Sequence, residues 1–306
     1  MMPEFDRDQC FMQGRLLEPL LLDDLTRSNL SESTTVLQSR FASEHYLYLK
    51  NVFSREEVAA VRSEVFTRLH AVGEIETAGP DGIYTGKSRR EKVPEGLGEF
   101  WRSVSQGTAL RELSHGEQVT KLMSQLFGEP YMPHDYLFLR PAVPGRSTLL
   151  HYDHPFFARG SDRIVTVWTA YGDIPVEEGP LLVVDKSHEF TDLVQASQNV
   201  DYESSETPLV QVLQDPSELA RSRGVKLKTA NFNAGDIILF SMTLLHGSLD
   251  NRSEQGRVRL SSDVRWQPAK DPVDPRYMGD NPAGTTGVGY GELNGAKPLT
   301  IDWHQR

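Results

Sequence analysis

Seven short segments with the composition of β-strands follow one another along residues 136–266 of this 306-residue chain. Each contains β-branched or aromatic side chains, and turn residues such as Gly, Pro, Asn and Asp separate it from the next. Repeated short strands joined by turns are typical of antiparallel double-sheet architectures. The sequence therefore predicts a mainly β fold, a double-stranded β-helix of the jelly-roll, cupin-like type. The predicted strands cover residues 136–140, 148–153, 163–171, 181–184, 226–231, 236–241 and 257–266.

The segments outside this core indicate supporting elements. A strand over residues 45–51 precedes a helix that begins at a capping box of Ser54 and Glu57, and a long Gly- and Pro-rich loop follows. The N-terminal residues predict short helices and a mobile start. We predict a single domain over 1–306, which divides into an N-terminal extension (1–43), helical support with a lid loop (44–135), the jelly-roll core (136–266) with an insertion that reaches over the mouth of the site (189–224), and an irregular surface segment (267–306).

Two histidines and one aspartate form a candidate metal site on the predicted strands. His151 and Asp153 are two residues apart on one strand, so both side chains point to the same face. A pair of this kind is common by chance, but His246 follows a separate turn and buried strand in the expected order. Two imidazoles and one carboxylate occupy one face of an octahedral Fe(II) ion and leave three positions for cosubstrate and oxygen.

A strand with alternating polarity follows His246 after a polar turn. It is predicted to return antiparallel beside the His246 segment, with one charged face and one apolar face. A guanidinium with a hydroxyl two residues further on, as in Arg259 and Ser261, can hold a carboxylate at two points. The charged face comprises Arg257, Arg259, Ser261, Asp263 and Arg265.

The chain resembles the phytanoyl-CoA dioxygenase family of Fe(II)- and 2-oxoglutarate-dependent oxygenases across most of its length. The resemblance implies that His151, Asp153 and His246 bind Fe(II), and that 2-oxoglutarate and O2 are cosubstrates. The motifs that carry it are Tyr46-Leu47-Tyr48-Leu49 before Phe53-Ser54-Arg55-Glu56-Glu57, the pair of His151 and Asp153, Val167-Trp168-Thr169-Ala170, Gly179-Pro180-Leu181 before Ser187-His188, Ala234-Gly235-Asp236, His246-Gly247-Ser248, and Arg259 with Ser261.

The same resemblance implies a cosubstrate pocket. Arg259 with Ser261 would bind the distal carboxylate of 2-oxoglutarate, and Ser248 and Trp168 would line the pocket. Arg257 is the alternative for the carboxylate, because the turn after the distal histidine varies in length, and Trp168 has the alternative of a purely core role.

The implied reaction is hydroxylation of an unactivated carbon of a small molecule, with release of succinate and CO2. Asp153 is a carboxylate where halogenating relatives have a small residue, so hydroxylation is favoured over halogenation. Desaturation, cyclisation and epimerisation within the same class stay open. So does a non-oxidative, cupin-like protein that binds a divalent metal through the same three residues without a role for Arg259.

Substrate-contacting residues are predicted in the long loop and beyond the metal motif. Tyr84 and Lys87 lie in the loop, which has four basic residues within six positions (Lys87, Arg89, Arg90 and Lys92). This run predicts either a grip on a substrate carboxylate or phosphate, or a solvated loop. Phe156 predicts an apolar pocket wall, or packing under the loop.

Composition limits the partners. The formal net charge of −11 argues against nucleic-acid binding, which depends on neutralising phosphates with Lys and Arg. The single cysteine, Cys10, excludes an internal disulfide, and no apolar run is long enough to cross a bilayer. We expect a cytoplasmic enzyme that acts on a small molecule away from membranes, of undetermined oligomeric state.

Overall fold

Two facing β-sheets form the core of the structure, a computed structural model that describes residues 4–204 and 211–301. The strands are β1 (Phe11–Met12), β2 (Arg15–Leu16), β3 (Leu22–Asp24), β4 (Arg27–Ser28), β5 (Tyr46–Leu49), β6 (Tyr131–Pro133), β7 (Phe138–Ala142), β8 (Thr148–His151), β9 (Val165–Ala170), β10 (Leu181–Val184), β11 (Leu227–Thr229), β12 (Ile237–Ser241), β13 (His246–Ser248) and β14 (Arg259–Pro268). The smaller sheet has the order β3-β11-β10-β13-β8, and the larger has the order β4-β5-β12-β9-β14-β6 with β7 also paired to β14. The predicted jelly-roll fold is confirmed.

The first five helices cover the outer face of the larger sheet, and the last two pack beside the smaller sheet. The second helix begins at the predicted capping box, in which Ser54 accepts from the Glu57 backbone and Glu57 accepts from the Ser54 backbone. Its buried residues join the largest apolar cluster. No helix among the described residues is long and apolar enough to span a membrane. The helices are α1 (Thr34–Glu44), α2 (Arg55–Ala71), α3 (Leu97–Ser105), α4 (Thr108–Ser114), α5 (Glu117–Phe127), α6 (Thr191–Gln198) and α7 (Pro216–Arg223).

Strand β14 separates two environments because its side chains alternate between the faces of the sheet. Leu260, Val264 and Trp266 belong to the apolar cluster under the helices. Arg259 and Arg265 lie on the other face, towards the space between the sheets, where their hydrogen-bond partners also lie. The predicted division of this strand into a charged and an apolar face is therefore found in the structure.

The predicted pairing of the last core strand with the His246 segment is wrong. β14 pairs with β9, β7 and β6 in the larger sheet, whereas β13 pairs with β10 and β8 in the smaller one. The connection over residues 249–258 is longer than a two-residue hairpin turn, and it crosses from one sheet to the other. His246 and Arg259 therefore lie in different sheets instead of side by side.

The terminal segments are more ordered and more buried than their composition predicts. In the N-terminal extension, β3 pairs with β11 and β4 pairs with β5, so two- and three-residue strands extend both sheets. In the C-terminal segment, Tyr277, Tyr290 and Leu299 are buried in the main apolar cluster, which corrects the prediction of a surface chain. Strands of two or three residues are too short to show alternating side-chain polarity, so the sequence pattern did not predict β3 and β4.

Candidate metal and cosubstrate site

Three predicted ligands meet at the ends of two neighbouring strands. His151 ends β8 and His246 begins β13, and the two residues are paired in the antiparallel register. Asp153 does not lie on the strand as predicted, because β8 ends at His151 and Asp153 has helical backbone angles (φ −75°, ψ −22°) before the short 3-10 helix His154–Phe156. One ligand atom from each of the three residues lies within 4.8 Å of the other two.

Backbone hydrogen bonds orient both imidazoles. The His151 Nδ1 lies 2.8 Å from the Leu149 carbonyl oxygen, and the His246 Nδ1 lies 3.1 Å from the Leu244 carbonyl oxygen. A carbonyl oxygen only accepts, so each Nδ1 carries the proton and each Nε2 keeps its lone pair for the site. Burial lowers the pKa of His151 to about 3 and also lowers the pKa of His246. Both rings are therefore neutral at neutral pH, as metal ligands must be.

The third ligand is held as a carboxylate. Asp153 is 1% exposed, and it accepts hydrogen bonds from Arg265 at 2.7 and 2.9 Å and from the Thr166 hydroxyl at 2.7 Å. Burial alone would raise the pKa of Asp153, but Arg265, together with His246 and His151, holds it well below its usual value. Two neutral imidazoles and one carboxylate fit the ligand set of a non-haem Fe(II) site.

Arg259 is the first residue of β14 and lies on the same inner face of the strand as Arg265. Its Nη1 donates to the Ser261 hydroxyl at 2.7 Å, and its side chain is almost fully buried. Among the described residues no carboxylate forms an ion pair with it, and its Nε has no hydrogen-bond partner. Burial, reinforced by the nearby guanidinium of Arg140, lowers the pKa of Arg259 to about 10. Arg259 is therefore a buried cation with hydrogen-bond donors available to an anion.

The alternative residue, Arg257, has a partner elsewhere. It lies before the first residue of β14, and its Nε is 2.8 Å from a carboxylate oxygen of Glu178. The Arg257 side chain is 36% exposed, and it lines a surface depression with Arg62 and Asp173. Because Arg257 lies at the surface and is paired with Glu178, Arg259 is the better candidate to bind a carboxylate in the interior.

The two other predicted cosubstrate residues also lie between the sheets. Ser248 shares the inner face of β13 with His246, and its hydroxyl accepts a hydrogen bond from the Thr148 backbone at 2.8 Å. Trp168 is 1% exposed and packs against Phe232 at a centroid distance of 4.8 Å, in an apolar cluster between the sheets. Its contacts are those of a core residue.

A cavity lined with aromatic side chains opens beside the ligands. Phe156 lies on its wall, with its ring 6.3 Å from that of His151. The lining residues are Phe138, Leu139, Arg140, Ser147, Thr148, Leu149, His151, Asp153, Phe156, Phe157, Gln211, Arg265, Leu293, Asn294 and Gly295.

The loop residues predicted to contact substrate lie away from this cavity. The Tyr84 hydroxyl donates to the Leu299 carbonyl at 3.1 Å, and Lys87 is exposed. Within the basic run, Arg90 is fully buried in an ion pair with Glu74, and it also donates to the Gly295 and Lys297 carbonyls. Arg90 therefore neither binds a ligand nor lies in solvent. It connects the loop to the C-terminal segment through these hydrogen bonds.

Several residues beside the site were not predicted. Arg265 could have been found, because it shares the period-two face of Arg259. Gln211 and Asn294 carry no local signal, since they reach the cavity from the insertion and from the C-terminal segment.

Comparison with known proteins assigns the family. Residues 44–259 match the phytanoyl-CoA dioxygenase (PhyH) family, to which this chain therefore belongs. The ectoine dioxygenase of Stutzerimonas stutzeri (strain A1501) is 24% identical over 269 residues, which cover 84% of each chain. The ectoine dioxygenase of Bordetella parapertussis is 25% identical over 255 residues, which cover 79% of this chain and 78% of its own.

Solved structures support the same fold. EctD from S. alaskensis with 2-oxoglutarate and 5-hydroxyectoine superposes with a TM-score of 0.53 at 18% identity, covering 87% of this chain and 86% of that one. The epimerase SnoN in complex with Fe3+, alpha ketoglutarate and nogalamycin RO gives a TM-score of 0.51 at 20% identity, covering 81% and 86%. With the family and the ligand set together, the chain is a 2-oxoglutarate-dependent non-haem iron dioxygenase that uses Fe(II), 2-oxoglutarate and O2.

Proposed function

We propose that this enzyme hydroxylates an unactivated carbon of a small molecule held in the aromatic-lined cavity, while 2-oxoglutarate is converted to succinate and CO2. The observation that carries the proposal is the position of this cavity, which reaches His151 and Asp153 directly. A substrate in the cavity would therefore lie next to the ion. Bound Fe(II) would supply the redox chemistry that activates O2.

The three ligands in this proposal are His151, Asp153 and His246. The Nδ1 bonds to Leu149 and Leu244 keep both Nε2 atoms directed at one point, so little reorientation is needed when the ion arrives. A carboxylate at position 153 occupies the coordination position that a halide would need, which supports hydroxylation over halogenation.

Arg259 is assigned the distal carboxylate of 2-oxoglutarate. A guanidinium with no carboxylate partner among the described residues is costly to bury, and an anionic ligand removes that cost. Ser261 holds one end of the guanidinium, which leaves its other donors for the ligand. We assign Ser248, which shares the inner face of β13 with His246, as a further contact of the cosubstrate. Trp168 packs in the apolar core between the sheets and contacts Phe232.

The primary substrate is proposed to be a small molecule with an apolar part and a few hydrogen-bonding groups. Phe138, Phe156 and Leu293 provide apolar surface, and Gln211 and Asn294 provide amides. The charged cavity residues Arg140 and Arg265 are already paired with Asp263 and Asp153. Nonpolar walls also exclude water from the reacting centre.

The proposal is tested by oxygen-dependent turnover. Purified enzyme reconstituted anaerobically with Fe(II) and 2-oxoglutarate should release succinate on exposure to air, and candidate metabolites should be screened for those that increase the rate. His151→Ala should abolish succinate release, whereas Arg257→Ala, outside the cavity, should retain it.

The competing function, a non-oxidative metal-binding protein, makes a different prediction. Such a protein would bind a divalent ion through the same three residues but would bind 2-oxoglutarate no better with Arg259 than without it. Calorimetric titration of 2-oxoglutarate into the Mn(II)-loaded protein separates the two. Equal affinity in wild type and Arg259→Ala would refute the assignment of Arg259 to the cosubstrate, and undiminished succinate release by His151→Ala would refute the assignment of the metal ligands.

A further inference from the structure

The carboxylate ligand of the metal site has a charged partner of its own. The Arg265 Nη2 donates to both oxygens of Asp153, at 2.7 and 2.9 Å, and Thr166 donates to Oδ2. We propose that Arg265 is a positioning residue, which holds Asp153 in its metal-binding orientation before the ion arrives. This inference rests on the metal site assigned above and identifies the residue that preforms it.

The Arg265 side chain is itself fixed in place. Its guanidinium carbon lies 4.4 Å from the ring centroid of Phe138 and 4.8 Å from that of Phe157, and the residue is 2% exposed. Its backbone is held because Arg265 pairs with Thr166 in the ladder between β14 and β9. Two rings and a sheet position therefore determine where the Asp153 carboxylate must lie.

Asp153 is the only close polar anchor of this guanidinium within the described part of the chain. The Nε and Nη1 of Arg265 have no hydrogen-bond partner there. The next carboxylate, Asp263, is 3.9 Å from Nη1 and is engaged by Arg140. Because Arg265 has one carboxylate to bind and Asp153 has one guanidinium, neither has an alternative arrangement of similar energy in this buried site.

The hydrogen bonds also distinguish the two carboxylate oxygens. Oδ2 accepts from both Arg265 and Thr166, whereas Oδ1 accepts from Arg265 alone and lies 3.9 Å from the His151 Nε2. A carboxylate oxygen has two lone pairs, so Oδ1 keeps one that no hydrogen bond occupies. Oδ1 is therefore the oxygen left for the ion, and Arg265 with Thr166 prevents the carboxylate from rotating away.

The test measures Mn(II) binding, which needs neither O2 nor a primary substrate. Titration of the apoprotein with Mn(II), followed by calorimetry and by the loss of the free-ion EPR signal, gives the affinity of wild type and variants. Arg265→Met, which keeps the apolar stem and removes the donors, should bind Mn(II) about 10- to 100-fold more weakly, the range for residues that support metal ligands. Arg265→Lys should lie between Met and wild type, because an ammonium keeps the charge but not the guanidinium geometry.

Arg257→Met is the matched control. It makes the same substitution at a guanidinium that is also paired with a carboxylate, but outside the cavity, and it should bind Mn(II) as wild type does. A folded Arg265→Met that binds Mn(II) with wild-type affinity would overturn the assignment, since a residue needed only for packing would not change this constant. If Arg265→Met does not fold, wild-type affinity in Arg265→Lys has the same meaning. Failure of the wild type to bind Mn(II) would instead refute the metal site itself.

Discussion

Replacing Arg259 with Met should stabilise the apoprotein and at the same time remove its cosubstrate. The fall in the pKa of Arg259 from 12.5 to about 10 corresponds to a cost of about 3 kcal/mol for keeping the charge buried. Methionine has a similar length and no charge, so the substitution removes this cost, less about 1 kcal/mol for the lost hydrogen bond to Ser261. We expect the free energy of unfolding of the apoprotein to rise by about 2 kcal/mol.

Thermal unfolding with and without ligand measures both effects. In wild-type enzyme loaded with Mn(II), 2-oxoglutarate at 100 times its dissociation constant should add about 2.7 kcal/mol of stability. In Arg259→Met this addition should disappear, so the variant should be the more stable protein without 2-oxoglutarate and the less stable one with it. Arg257→Met is the control that should keep the 2-oxoglutarate response. An Arg259→Met protein that is less stable without ligand and still responds to 2-oxoglutarate would show that Arg259 is neither an unbalanced buried charge nor the residue that binds the cosubstrate.

Three further predictions concern His151 and the packing of the C-terminal segment. Burial lowers the pKa of His151 from 6.5 to about 3. The stability that depends on the neutral ring is therefore complete above pH 6.5 and is lost as the pH falls towards 3. Urea unfolding of the apoprotein should give a lower free energy of unfolding at pH 5 than at pH 7, and this difference should be smaller in His151→Asn. Arg90→Met removes the ion-pair partner of the Glu74 carboxylate in a site where both side chains are 0% exposed. It should lower the free energy of unfolding in urea by about 3–5 kcal/mol. An unchanged free energy of unfolding would mean that this ion pair does not stabilise the C-terminal segment. Gly295→Ala would place a Cβ 2.5 Å from the Trp101 ring, and it should lower the free energy of unfolding by about 1–3 kcal/mol; an unchanged melting temperature would contradict this close packing.

Local patterns predicted the elements that depend on neighbouring residues. The helix after Ser54 begins at its capping box, and the β10 bounds match residues 181–184. Each of these depends on side chains a few positions apart, which a sequence displays directly. The alternation of β14 is of the same kind, and it placed Arg259 on the inner face.

Features that depend on distant residues were not predictable in this way. The ion pair of Arg90 with Glu74 appears in the sequence only as part of a basic run, and its partners Gly295 and Lys297 lie some two hundred positions away. The same holds for Asn294, which precedes Gly295 in the chain and lines the cavity. A buried ion pair is decided by desolvation and geometry in the folded state, and neither is visible in composition.

The charges inside the barrel support an order of binding. Arg265 is balanced by Asp153 and Arg140 by Asp263, while Arg259 is balanced by no carboxylate of the described residues. The interior therefore has one excess positive charge, and a divalent ion at the three ligands raises the excess to three, because these pairs keep their own charges. A 2-oxoglutarate dianion reduces it to one. Since electrostatic interactions are strong where water is excluded, the dianion should bind more tightly after the metal than before it, and the metal in turn should bind more tightly when 2-oxoglutarate is present.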